Sequence, residues 1–171
     1  IGNKGKDAVD AGNFNTMVLV PLTTTGTSQE QKSFALGLSQ DLSSGMSKMA
    51  KGLNVVTLNR RPDDLGVAAS KIGARYIIDG NIRQSGDAIR VTINLIDAEN
   101  MATIWTNTLD RNMSATDIFA LQDEIVTGVV DELVGNGAIL QKDVAKNIKT
   151  RATDDLSSYE CINFVRGVFY K

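Results

Sequence analysis

Six polar residues that directly follow two predicted strands are the strongest candidates for a binding site. They are Thr23, Thr24, Thr25, Asn59, Arg60 and Arg61, and we call them the rim. In open α/β sheets, ligands gather at the carboxyl ends of parallel strands where the strand order reverses, and the rim is predicted to lie there. Hydroxyl groups and two guanidinium groups are suited to an anion or an acidic partner. A threonine-rich surface loop beside two solvated arginines is the plainer alternative.

The sequence predicts no catalytic residue, cofactor or metal ligand. The chain has no histidine, which excludes a Ser-His-Asp or Cys-His centre and histidine-based zinc sites. Its single cysteine, Cys161, is predicted to lie on an apolar helical face as a small core residue. Gly135-Asn136-Gly137 follows a helix, whereas a phosphate-binding loop follows a strand, so it reads as a helix stop. An enzyme acting on a small ligand at the rim is therefore the less favoured alternative.

Other polar or aromatic features have structural explanations. Asp63-Asp64 falls in the first predicted turn of a helix, where negative charge favours the helix dipole. Asp123-Glu124 and Asp131-Glu132 are predicted to form the solvated side of an amphipathic helix. Trp105 alternates with Ile104 on a strand, so half-buried packing is favoured over an exposed ligand stack.

The composition excludes several classes of protein. A net charge of -2 and an aromatic content of 5% argue against nucleic acid as a partner, including for an RNA-binding domain. A chain of 171 residues buries enough surface to fold without a metal or disulfide. No apolar run has the length of a transmembrane helix. The chain begins at Ile1, which indicates an excised segment or a mature form, and membrane association is expected only through other parts of a parent chain.

The apolar pattern predicts five strands and four helices. The strands cover 16–20, 53–58, 76–83 and 89–95, with a fifth run ending near 111. Ser28 is predicted to cap a helix to about 51, with Phe34, Leu38, Leu42, Met46 and Met49 on one face and Gly52 as its stop. A second helix is predicted over 62–72, and the pair Ser114 and Asp117 is predicted to open a third. The segment 138–155 reads as polar and irregular, and an amphipathic helix is predicted over 156–169.

This order of elements predicts a mixed α/β fold. Two strand-helix-strand crossovers require parallel pairing, and short polar turns at 85–87 and 97–100 join the last three strands as an antiparallel meander. A mixed five-stranded sheet with helices on its faces is the simplest solution. We expect a flexible linker over 1–15, an α/β domain over 16–137, and over 138–171 a linker with the first helix of a following module.

Four groups of residues within 17–133 carry a recognisable pattern: GARY at 73–76 with DG at 79–80, RV at 90–91 with LIDA at 95–98, IW at 104–105, and IFALQDEI at 118–125. With this pattern, residues 17–133 resemble the TolB-like amino-terminal domain of bacterial adenylate/guanylate cyclases, which is usually followed by tetratricopeptide repeats. The terminal LSSY at 156–159 is similar to the lead-in of a repeat helix. The chain departs from the family pattern at Leu22, where an aromatic residue is usual, and at Val20, which separates Leu19 from Pro21.

The resemblance implies a fold and a function. It implies a three-layer α/β/α fold like that of the anticodon-binding domain, with strand order 2-1-3-4-5 and the fourth strand antiparallel. It also implies a non-catalytic regulatory or protein-interaction role on the extracytoplasmic side of a membrane-anchored cyclase, with a cytoplasmic location as the alternative. A stand-alone periplasmic TolB-like interaction protein is the alternative function. The partner, a protein or a small ligand, stays open.

Overall fold

The computed structural model describes residues 13–50, 52–115, 117–135 and 139–151. The strands are β1 (Asn13–Leu19), β2 (Thr23–Thr24), β3 (Asn54–Thr57), β4 (Ala74–Ser85), β5 (Ala88–Asp97) and β6 (Thr103–Asn112). The helices are α1 (Gln29–Met49), α2 (Leu65–Ile72), α3 (Ile118–Val134) and α4 (Ile139–Arg151). The predicted helix over 156–169 and Cys161 lie outside the described residues, and the predicted domain boundaries stay predictions.

The described strands form one mixed sheet of the predicted topology. The strand order is β3-β1-β4-β5-β6, and the short β2 pairs with β4 beyond the end of β1. Strand β1 is parallel to β3 and β4, whereas β4, β5 and β6 form an antiparallel meander. The fold prediction is therefore confirmed, because this order is the predicted 2-1-3-4-5 with the short β2 added, and β5 is the predicted antiparallel strand.

The sheet separates two apolar cores. Met17 and Leu19 of β1 pack with α1, α3 and α4 in the larger core, and every second residue from Ile89 to Leu95 joins them there. Val18 and Val20 face the opposite side and pack with α2 residues such as Ala69. This division follows from the period of a strand, because successive side chains point to opposite faces. The result is a three-layer arrangement, with α1, α3 and α4 on one face of the sheet and α2 on the other.

Helix α1 begins at the predicted cap and buries most of the predicted face. The Ser28 side chain accepts a hydrogen bond from the backbone N–H of Gln31, which satisfies one of the free donors at the helix start. Phe34, Leu38, Leu42 and Met46 are buried. The prediction was wrong for Met49, the last residue of the helix, which is 55% exposed.

Helices α2 and α3 both begin later than predicted. The cap of α2 is Asp64, whose carboxylate accepts from the Val67 N–H, so Pro62 and Asp63 precede the helix. The cap of α3 is Asp117, because Ser114 lies in a 3-10 turn, Met113–Ala115, and hydrogen-bonds Asn112 instead. Both cap residues are aspartates, which combine a side-chain acceptor with a charge that suits the helix dipole.

Helix α4 occupies a segment that the sequence predicts to be irregular. Its surface is largely polar, yet Leu140 and Val144 are each 2% exposed and join the larger core. These two residues lie one helical turn apart, so a single narrow stripe holds the helix against the domain. The Tyr76 hydroxyl of β4 donates to Asp143 Oδ2 at 2.9 Å and adds a polar link to α4. Burial, followed by the nearby Asp143 charge, raises the pKa of Tyr76.

Candidate functional site

The three threonines of the rim are mostly bound to the protein's own backbone. Thr23 and Thr24 form β2 and pair in parallel with Asn81 and Ile82 of β4, where the sequence predicted a loop. The Thr23 hydroxyl donates to the Gly80 carbonyl at 3.2 Å, and the Thr24 hydroxyl accepts from the Gly26 N–H at 3.2 Å. The backbone N–H of Thr25 donates to the Ile82 carbonyl, and its side chain is exposed.

The three residues of the rim that follow β3 are all exposed, but they differ in their partners. Arg61 makes a two-point contact with Asp79 of β4, with Nη1–Oδ1 and Nη2–Oδ2 distances of 2.5 and 2.9 Å. The Asp79 side chain is only 14% exposed and also accepts from the Gly80 N–H. The hydrogen bond to Asp79 raises the pKa of Arg61. Asn59 and Arg60 are exposed, and no side-chain bond of either is found within the described part of the chain.

The structure therefore brings part of the rim together. Thr23 lies opposite Asn81 on β4, and Arg61 contacts Asp79 two residues earlier on the same strand. The Arg61–Asp79 ion pair is a contact that the sequence analysis missed, because the two residues are 18 positions apart. Of the two rim arginines, Arg60 is the one with no side-chain bond to the residues that the structure describes.

Beyond the rim, the sheet has a polar face that α2 does not cover. This open face consists of Asp79, Asn81, Arg83, Arg90, Thr92, Asn94, Thr106, Thr108 and Asp110. The strand register places them in three rows across β4, β5 and β6. Side chains bond across the rows, as Thr106 does to Asn94 at 2.9 Å and Arg90 does to Asp110 at 2.6 and 2.8 Å. The Arg90 hydrogen bond lowers the pKa of Asp110. The sequence predicted the strand over 89–95 but not that polar residues of three strands share one face.

On the opposite face, acidic residues of α3 bind β6. Glu132 accepts from the Trp105 Nε1–H and from the Asn107 amide, both at 2.9 Å. Glu124 forms an ion pair with Arg111, whose hydrogen bond lowers the pKa of that carboxyl. Trp105 is half-buried and packs against the larger core, as predicted. Glu124 and Glu132 are exposed as predicted, and they additionally connect α3 to the last strand.

A buried ion-pair cluster lies at the start of β4. Arg75 is 3% exposed and donates to Asp97 Oδ2 at 2.7 Å and to Glu99. The Arg75 carbonyl also accepts from the Ala98 N–H. These bonds fix the turn between β5 and β6 against the beginning of β4. These bonds connect the start of β4 to the β5–β6 turn, so we assign the cluster a structural role.

A cavity of about 200 Å³ lies where α1, α3 and the β4–β5 hairpin meet. Its lining combines the apolar Phe34, Ile82, Ile89, Met113 and Ile118 with the polar Ser28, Glu30, Gln31 and Gln84. Gln31 donates to Gln84 at 2.9 Å and Ser28 caps α1, so most of these polar groups bond to one another. A cavity of this size is smaller than the 300–1,000 Å³ or so that drug-sized ligands occupy.

The described ranges contain no candidate metal site and no candidate membrane-spanning helix. No three His, Cys, Asp or Glu side chains among these residues are grouped to hold a metal ion. No helix in the same part of the chain has both the length and the apolar character to cross a membrane.

Comparison with known proteins gives partial likenesses. No family model matches the chain. A protein of Rhizobium meliloti (strain 1021) named "Putative adenylate cyclase 3" is 28% identical over 124 residues, which are 69% of this chain and 21% of that protein. The chain thus spans about one fifth of the length of this curated relative. The likeness is consistent with the TolB-like resemblance.

Two solved structures are similar to the chain, to different extents. The PelC dodecamer from Paraburkholderia phytofirmans gives a TM-score of 0.53 at 17% identity, covering 68% of this chain and 84% of that one. TolB from Acinetobacter baumannii gives a TM-score of 0.47 at 15% identity, covering 70% of this chain and 28% of that one. The PelC likeness shows a shared fold alone, and the TolB likeness supports no inference by itself.

Proposed function

We propose that this chain is a non-catalytic regulatory or protein-interaction domain of a bacterial adenylate/guanylate cyclase. The observation that carries the proposal is the match to the cyclase relative. This match covers 69% of this chain but only 21% of that protein. A match of this extent supports a role as one part of a longer signalling protein. The cyclase reaction would then belong to a different part of the parent chain.

The chemistry of the rim supports recognition as its role. Thr23 and Thr24 bond to the neighbouring backbone, and Arg61 is paired with Asp79. Such groups are already satisfied, whereas a reaction centre needs an activated nucleophile beside a base. Arg60 and Thr25 keep exposed side chains at the same end of the sheet. We therefore propose that the rim binds an acidic segment of a partner or a small anion, with Arg60 as the main contact.

The location of the domain is also a proposal. We infer an extracytoplasmic position in a membrane-anchored parent, with tetratricopeptide repeats after the domain, because the resembling cyclases have this arrangement. Protease added to intact spheroplasts is expected to cleave the domain, whereas protection until the membrane is lysed would support the cytoplasmic alternative.

One observation favours a second candidate, a stand-alone TolB-like interaction protein. The shared fold makes up 84% of the PelC chain, so a protein can consist almost entirely of this fold. The size of the endogenous protein, measured by immunoblot of the native organism, separates the two candidates. A product several times larger than 18.4 kDa is expected for a cyclase, and a product near that mass for the stand-alone protein.

The functional test compares two exposed cations in the full gene product. Arg60→Gln removes the proposed rim contact, and Lys48→Gln removes one positive charge from the last turn of α1 as the matched control. We expect Arg60→Gln to change cyclic-nucleotide formation severalfold and Lys48→Gln to leave it unchanged. Equal output from both variants and the parent sequence would remove the rim from the mechanism.

A further inference from the structure

Strand β6 is the long open edge of the sheet. It contains ten residues, Thr103–Asn112, whereas β3 at the other edge contains four. Strand β6 pairs only with β5, and no other strand of the described residues lies along its outer side. Alternate backbone N–H and C=O groups of an edge strand point away from the sheet, where they form a template for another strand.

The middle of β6 lacks the usual protection against such pairing. Natural edge strands are commonly blocked by charged residues, by proline or by a bulge. The five residues from Trp105 to Leu109 include no charge and no proline, and the register irregularity lies at the start of the strand, opposite Leu95 and Ile96. Charges occur only toward the far end, at Asp110 and Arg111.

The side chains of this segment are arranged almost symmetrically about Asn107. Thr106 and Thr108 flank it on the open face, where they bond to Asn94 and Thr92 of β5. Trp105 and Leu109 lie two residues away on the α3 face, and both pack against the larger core. Because the order of polar and apolar side chains is the same in both directions, the strand can pair with an antiparallel copy of itself so that like side chains meet.

We propose that β6 pairs antiparallel with β6 of a second copy of this chain, on a two-fold axis through Asn107. This register sets Trp105 opposite Leu109 and Thr106 opposite Thr108 of the second copy, both favourable cross-strand pairs. The register is regular over Trp105–Leu109, because the irregularity at Ile104 precedes this stretch, and no charged residue lies within it. Five residue pairs would form there, with about four to six backbone hydrogen bonds. A slip of one residue would instead place the α3 faces of the two copies on opposite sides of the joined sheet.

The first test measures mass in solution and changes the charge on the open face. Light scattering of the chain is expected to give twice the 18.4 kDa monomer mass. The variant Thr106→Lys/Thr108→Lys sets lysine opposite lysine twice, and its dimer dissociation constant should rise about tenfold or more. The variant Thr106→Lys/Thr108→Glu sets lysine opposite glutamate and should dimerise like the parent. Both positions are exposed, so circular dichroism should show an unchanged fold.

The second test locates the axis by cross-linking. In a Cys161→Ser background, Asn107→Cys places two thiols across the axis, where antiparallel Cα separations of about 4.5–5.5 Å permit a disulfide. Mild oxidation should give a covalent dimer. Thr103→Cys is the control, because it lies four residues from the axis, so the two copies of this cysteine would be too far apart to cross-link. A monomer at every concentration, a dimer indifferent to the double lysine change, or equal cross-linking of both cysteines would overturn the proposal. Capture of an unrelated extended peptide by the edge of the monomer would also overturn it.

Discussion

The ion pair between Arg61 and Asp79 decides how much of the rim is available for a partner. Arg61→Ala would leave a carboxylate that is only 14% exposed without its cation, although the Gly80 N–H would still donate to it. We expect a loss of about 1 to 2 kcal/mol of unfolding free energy. Arg60 makes no such contact with the described residues, so Arg60→Ala should change stability by less than about 0.5 kcal/mol.

A double-mutant cycle isolates the pair itself. Urea unfolding of Arg61→Ala, Asp79→Ala and the double variant should give a coupling of about 1 kcal/mol. This value is at the upper end for surface pairs, because the contact has two points but Arg61 is 39% exposed and open to screening. The coupling should fall in about 1 M salt, which screens exposed charges. If the coupling is absent and Arg61→Ala is as harmless as Arg60→Ala, Arg61 is free for a ligand and our reasoning fails.

Two further predictions concern packing and pH. Gly80 lies against the Thr92 carbonyl and Leu22, where an added Cβ has no room, so Gly80→Ala should cost about 3 kcal/mol or more, measured by urea unfolding. Gly128→Ala, on a helical site with open space, is the matched control and should gain about 0.5 to 1 kcal/mol; equal effects of the two changes would contradict the described β4–β5 contact. The pKa of Tyr76 is raised in the folded state, so its contribution to stability is complete below the unfolded value near 10 and declines as pH rises beyond it. Tyr76→Phe should flatten this alkaline decline in unfolding experiments at several pH values, and an unchanged slope would show that Tyr76 is not protected.

The sequence predicted the elements whose pattern is local. The alternation from Ile89 to Leu95 indicated one strand with one buried face, and Ser28 was placed correctly as the cap of α1. The strand pattern and the helix cap each depend only on residues that are close in sequence. The cap of α3 was harder, because Ser114 and Asp117 are both good capping residues, and only the 3-10 turn between them decides for Asp117.

The missed features depend on contacts between distant residues. Strand β2 is two residues long and exists because β4 extends past the end of β1 and offers it a partner. Helix α4 has a narrow apolar stripe, so its position depends on packing against a core that the sequence pattern does not show. The Arg61–Asp79 pair and the bonds from Glu132 to β6 join different elements of the fold. Long-range contacts of this kind define most of the candidate site.

Cyclic-nucleotide formation by the purified chain is the most direct test of a recognition role without catalysis. With ATP or GTP and Mg²⁺, the folded chain should release no cyclic nucleotide above the level of a buffer blank. Turnover that copurifies with the chain and disappears in Arg60→Gln would show that the rim performs chemistry, and it would contradict this account.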